Sequence, residues 1–527
     1  MRSRPFFIAA TLLAAGSVFA QAKPNFGNYS AITAKRLRAH LEFIANDLLE
    51  GRDTPSRGLD IAGEYIAAQM KLFGLEPGGP KKSYFQPFPV KQIGFLESKT
   101  GFEFDGKKFA PFKDFIPALS DRLGSGGIVF VGNGFRWPQK GLDPYKGVDV
   151  KGKLILRVDR VPKGWDWNSY LDGRMKDAES YDDAAVARGA VGILTILDRS
   201  SYRSWASRAT QAREQRMAAE GGDFPVQLPT AAISVPLAHE ILEGEQVSPD
   251  NVLAKMEQGV EIPSFVLSAS KTATLATAVQ EETVPTRNVV AILPGSDPKL
   301  KAEYVAIGAH YDHVGMNKDL PGDKIFNGAD DDGSGTVALI EMAHALATGP
   351  RPKRSVIFVW HAGEEKGLWG SDFFTKNPTV PLASIVAQLN IDMIGRSKPV
   401  GNTDARNKML SAADEIYVIG SRMLSNDLGD ICASVNKQLL NLKYNYHYDA
   451  PNDPESLYSR SDHYNYARFN IPIAFFFDGV HEDYHQPGDE AHKIDYMKME
   501  RVTRTVCATA WTIANRASRP KLDKKPG

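Results

Sequence analysis

The chain has 527 residues, more than one hydrophobic core ordinarily serves, so two or three domains are expected. Its 63 Lys and Arg balance 63 Asp and Glu, which removes the main electrostatic support for a nucleic-acid or anionic-membrane partner. Only two cysteines are present, Cys432 and Cys507; one disulfide and two free buried thiols both stand open.

Residues 1–20 carry Arg2 and Arg4, an apolar run from Phe6 to Ala15, and Val18-Phe19-Ala20 before Gln21. That order is a secretory signal peptide, too short in its apolar part to span a bilayer, and it predicts export to a periplasm or the medium. No Cys follows Ala20 to anchor a lipid, and no later segment is long and apolar enough for a membrane span. Leu37 to Glu50 and Leu59 to Phe73 read as helices, the second stopped by Gly74 and Pro77-Gly78-Gly79. From about Ser120 the texture becomes short strands separated by Gly and Pro, clearest at 128–131, 153–158, 191–196 and 231–235. No cluster of ligands or nucleophiles stands out there, and a separate non-catalytic module is expected over 118–268.

Acids and histidines then recur where apolar runs stop. His310-Tyr311-Asp312-His313 follows a short strand; Asp330-Asp331-Asp332-Gly333 leads into a helix; Glu364-Glu365 follows Val356 to Trp360; Asp392 closes Gln388 to Ile391. His481 to Asp489 stands in the same place after Phe477. Strand ends of an alternating strand and helix chain share one sheet edge, where such folds place their ligand crevice. Gathered carboxylates repel, so a cation is expected to hold them. His with Asp and Glu and no Cys fits hydrolytic zinc or another divalent ion, and the number of carboxylates suggests two ions. Singly the blocks have plainer readings, the three aspartates as an N-cap cluster among them. Arg396 to Ala413 is a polar loop, and Tyr444 to Ser461 a long, aromatic, Pro-containing one, both beside these blocks. Ile494 to Ala517 reads as a terminal helix, and 519–527 as a disordered basic tail.

Together the blocks resemble the M28 family of zinc metallopeptidases, the co-catalytic aminopeptidase group. The matching text is Gly308 to Asp312, Gly328 to Gly335, Gly363 to Leu368 with Gly370-Ser371, Asn390-Ile391-Asp392, and Tyr484-His485 with Pro487, Asp489, Ile494 and Asp495. The resemblance implies an α/β fold, a mixed and mostly parallel sheet sandwiched by helices, built from 21–117 and 269–518. It implies two zinc ions: His310 and Asp392 on one, Glu365 and His485 on the other, Asp331 bridging. Asp312 would orient His310, and Asp489 would support His485. Glu364 would be the general base for metal-hydroxide attack on a peptide carbonyl, and Tyr484 would support the oxyanion. Peptides are the implied substrates, with N-terminal removal the leading activity. Carboxypeptidase or dipeptidase action on the same metals, or a peptidase-like binding protein without activity, are the alternatives; the five-ligand set argues against a glutaminyl cyclase. Asp143 to Lys153, Ala184 to Gly189 and Leu228 to Pro236 look like a protease-associated (PA) domain, implying a role in substrate access or partner binding.

Overall fold

A computed structural model describes residues 25–171, 173–219, 227–450 and 453–524. The expected signal peptide at 1–20 lies outside the described residues. The chain divides into two compact units, one of Met1–Pro87 with Arg287–Gly527, the other of Phe88–Thr286.

The first unit is built on parallel strands. Tyr304–His310 lies between Ser355–His361 and Ile385–Ile391, parallel to both, and Ile473–Phe477 continues beyond Ile385–Ile391. Glu415–Ile419 runs antiparallel to Ile473–Phe477, and Val289 to Leu293 antiparallel to Trp360 to Val356. The inner strands are buried on both faces, which explains why they read as continuous apolar runs without alternation. On one face the helix Gly335–Thr348 packs with Ala34–Ile44 and the terminal helix Tyr496–Asn515. On the other, Phe374 and Tyr466 close over Ala306, Ile357 and Val359. Gly335–Thr348 is apolar nearly all round because it is covered on every side, Leu339, Ile340 and Met342 being fully buried.

The expected helices are present with shifted ends, as Ala34–Ile44 capped by Thr33, and Arg57–Leu72 capped by Ser56. The tail expected to be disordered is, through residue 524, tied down. Arg519 Nε donates to Glu303 Oε1 at 2.8 Å, and Asp523 Oδ1 accepts the Asn426 N–H at 2.9 Å at the start of the helix Asn426–Leu439. These partners lie far away in sequence, so composition alone does not show them. Cys432 and Cys507 are free and buried.

The second unit reaches past the 118–268 span on both sides. Gly101–Phe104 and Lys107–Phe109 pair with each other, and Thr272–Thr277 runs antiparallel between Gly101–Phe104 and Arg122–Phe130. From there Leu154–Val158, Gly192–Ile196 and Thr230–Ile233 follow in parallel, with Phe115–Pro117 antiparallel at the edge. One core joins Phe102, Phe104, Phe115, Ile128, Leu156, Leu194 and Leu275, so the flanking segments cannot be separated from the module.

Candidate metal centre

The carboxyl ends of the parallel strands deliver the site. His310 is the last residue of its strand, Asp392 follows Ile385–Ile391, and Glu364 and Glu365 follow Ser355–His361 after a turn at Ala362-Gly363. Asp331 comes from the irregular turn before Gly335–Thr348, and His485 from the loop after Ile473–Phe477.

Two groups of donors meet at Asp331. Its Oδ1 lies 3.3 Å from His310 Nε2, which is 3.6 Å from Asp392 Oδ1. Its Oδ2 lies 3.1 Å from His485 Nε2, which is 3.0 Å from Glu365 Oε2. Donors 2.0 to 2.1 Å from one tetrahedral zinc stand about 3.3 Å from each other, so on both sides of Asp331 the spacing and the His and carboxylate chemistry fit a divalent ion. His313 joins the second group, giving His313, Asp331, Glu365 and His485 beside His310, Asp331 and Asp392.

Electrostatics point the same way. Burial first, then the charges of Asp392, Glu365 and Asp462, lift the Glu364 carboxyl well above the usual carboxylate range, against the pull of His310. Burial and then Asp392 lift Asp332 likewise. Burial alone would raise Asp331 too, but the imidazoles of His310 and His485 bring it well below that range. Crowded carboxylates of this kind become mutually tolerable when a cation neutralises them.

The three consecutive aspartates divide the work. Asp331 faces the donor cluster. Asp332 Oδ1 accepts the N–H of Gly335 at 2.8 Å and of Met393 at 3.1 Å, joining the helix start to the loop that carries Asp392. Asp330 Oδ1 accepts the Gly395 N–H at 2.6 Å, and its Oδ2 lies 3.3 Å from His481 Nε2. The N-cap position itself is Ser334, and of the three aspartates only Asp332 accepts an N–H from the helix start, that of Gly335.

Asp312 sits beside His310, its Oδ1 3.6 Å from His310 Nδ1, while its own carbonyl is closer at 3.2 Å. The carboxylate also accepts the Glu364 N–H at 3.2 Å. Asp489, expected to support His485, instead turns its carboxylate to the backbone N–H groups of Asp330 and Asp331, at 3.0 and 3.1 Å. The loop Tyr484 to Asp489 folds back on the aspartate turn, so Asp489 holds the backbone of Asp331. Tyr484 stacks on His485 at 4.0 Å between ring centroids. Together with Met393, Leu457, Phe475, Phe477 and Val480 it walls a small cleft of about 40 Å³ that opens onto Asp331, Glu364, Glu365 and Asp392.

Several supporting residues carry no motif. Arg52, fully buried, donates to the carbonyls of Ile44, Tyr311, Asn327 and Gly328 at 2.6 to 3.0 Å, clamping the chain beside His310 and ahead of Asp331. In sequence Gly51 to Ser56 reads as a turn-rich connection, and a long cation inside it gives no sign of burial. Ser461 donates to Asp392 Oδ2 at 2.7 Å and accepts from Asn390 Nδ2 at 3.0 Å, fixing the carboxylate on the His310 side. In sequence Ser461 closes the loop Tyr444 to Ser461, and its place ahead of the apolar run Ile471 to Phe477 is the available signal.

Residues 288–510 match the model of Peptidase family M28. A probable leucine aminopeptidase of Arthroderma benhamiae is 27% identical over 239 residues, 43% of this chain and 57% of the relative. A probable zinc metalloprotease of Pyrenophora teres f. teres is 29% identical over 255 residues, 44% of this chain and 49% of the relative. The chain thus spans about half the length of these curated relatives. Among solved structures, an aminopeptidase from Aneurinibacillus sp. strain AM-1 superposes with a TM-score of 0.54 at 18% identity, over 94% of this chain and 98% of the other. A zinc aminopeptidase from Bacillus subtilis gives 0.51 at 17%, over 91% and 95%. At such identities the likeness is one of fold.

Proposed function

We propose, from the match of residues 288–510 to the model of Peptidase family M28, that this chain is an exported two-zinc aminopeptidase. The observation that carries this reading is the pair of donor groups joined by Asp331, with Glu364 beside them and a member of neither. His310 and Asp392 would hold one zinc, Glu365 and His485 the other, with one Asp331 oxygen turned to each. Bound there, zinc supplies Lewis acidity, acidifying a water and polarising a carbonyl.

The chain's own residues do the rest. Glu364 Oε2, 3.9 Å from His310 Nε2, stands at the cluster without joining it, free to take a proton from the attacking water and return it to the leaving amine. Tyr484 lines the same cleft, and its hydroxyl would donate a hydrogen bond to the oxygen that gains charge. The apolar walls at Met393, Phe475 and Phe477 exclude water around the scissile residue. Export rests on the order of residues 1–20. The span 118–268, inside the unit Phe88–Thr286, is read as a PA-like module for access or partner binding, on its sequence resemblance.

The test uses zinc-loaded protein and one peptide in free-amine and N-acetylated forms, followed by mass spectrometry. Loss of the first residue from the free form alone is expected; cleavage of both forms from the other end would replace this reading with a carboxypeptidase. Glu364→Gln is expected to keep both zinc ions and lose about 10²- to 10⁴-fold in kcat, the usual weight of a general base. Wild-type protein that binds zinc yet cleaves no peptide, and does not differ from the variant, would point to the binding-protein alternative.

A further inference from the structure

His313 is the member of the donor cluster that the five-ligand assignment leaves without a task. Its side chain is fully buried, and its Nδ1 lies 2.7 Å from Glu365 Oε1. The same Nδ1 is 3.8 Å from Asp331 Oδ2. Two donors on one tetrahedral zinc are held about 3.3 Å apart; 2.7 Å is a hydrogen-bond distance. Glu365 meanwhile presents its other oxygen, Oε2, to His485 at 3.0 Å. The two oxygens of Glu365 thus have separate partners, one on the metal side and one away from it. An ionised carboxylate only accepts, so the hydrogen belongs to His313 Nδ1.

The ring is itself held in place. The backbone N–H of His313 donates to Arg52 O at 3.1 Å. Gly328 lies close to the imidazole, where an added Cβ would stand 2.5 Å from His313 Cγ and 2.3 Å from the Asp331 carbonyl oxygen.

Resting on the two-zinc reading above, we propose that His313 is a positioning residue: its Nδ1–H holds Glu365 Oε1 so that Oε2 alone faces the zinc shared with His485. The chain neighbour of His313, Asp312, lies on the other side of the cluster, with its backbone carbonyl 3.2 Å and its carboxylate 3.6 Å from His310 Nδ1. Removing partners of this kind usually costs 10- to 100-fold in metal affinity.

The experiment is a competition titration of the full chain with a chromophoric zinc chelator, resolving two dissociation constants. His485→Ala and Asp392→Ala assign each constant to a side. His313→Ala is expected to weaken the constant assigned by His485 by about 10- to 100-fold and to leave the other unchanged. His313→Asn, whose Nδ2 hangs from Cγ as the imidazole Nδ1 does, is expected to restore it. Both constants unchanged in His313→Ala, both falling together, or Asn binding as weakly as Ala would each overturn the proposal. Wild-type protein that takes up no zinc would overturn the metal reading itself, and this inference with it.

Discussion

Arg52 shows what a single side chain does here. Its guanidinium is fully buried and lies near Asp312, Asp331, Asp332 and Asp489; burial lowers its pKa to about 10, against the pull of those acids. Replacing it with Met leaves the carbonyls of Ile44, Tyr311, Asn327 and Gly328 without their donor. Arg52→Met is expected to lose about 3 to 5 kcal/mol of stability, read as a shift in denaturant midpoint at constant slope; a shift below 1 kcal/mol would show those carbonyls find other partners. The metal-side blocks were legible because acids and histidines recur at strand ends; singling out Asp331 from its two neighbours took the family resemblance, and His310, Asp331, Glu365, Asp392 and His485 do converge. Arg52, Ser461 and the true partners of Asp489 were not legible, because each acts on backbone or on a residue distant in sequence.

At the scale of elements, the site depends on how closely the helix Trp369–Lys376 approaches the end of Ser355–His361. A Cβ on Gly370 would run into the Asn288 side chain and the backbone of Ala362, two residues before Glu364. Gly370→Ala is therefore expected to cost about 1 to 3 kcal/mol, the usual range for overpacking, and to lower kcat through displaced Glu364 and Glu365. Thermal melting and kinetics on one preparation check both; unchanged kcat would mean the collision is absorbed away from the turn. Strands and helices were readable from periodicity, and the apolar run Val356 to Trp360 marked its strand well. Their caps and the reach of Phe88–Thr286 were less so, because Gly101–Phe104 and Thr272–Thr277 join that unit by pairing across the length of the module.

The molecule as a whole carries an acid sensitivity outside the donor cluster. His463, fully buried and stacked on Phe475 at 4.4 Å, has its imidazole pushed by burial down to about 3, against smaller opposing effects of Tyr458 and Asp462. The unfolded chain takes up that proton near pH 6.5, and the folded chain resists until about pH 3. The contribution is therefore complete above pH 6.5 and is lost as pH falls, at up to about 1.4 kcal/mol per pH unit. His463→Phe, which keeps an aromatic ring against Phe475, is expected to flatten the fall in stability between pH 6 and 4; parallel curves for the two proteins would remove His463 as a cause. The unit Phe88–Thr286 has its own sheet and core and is expected to melt cooperatively when expressed alone; a featureless melt would make it dependent on the remaining chain.

The two thiols have a practical consequence. Cys432 and Cys507 are free and fully buried, and burial pushes both up to about 12, so neither presents a thiolate to an alkylating probe at neutral pH. The native protein is in effect cysteine-silent while folded. A single cysteine introduced at an exposed position such as Leu48 or Leu123 can carry a fluorophore or spin label with no background. Slow labelling of the native pair then becomes a clock for unfolding.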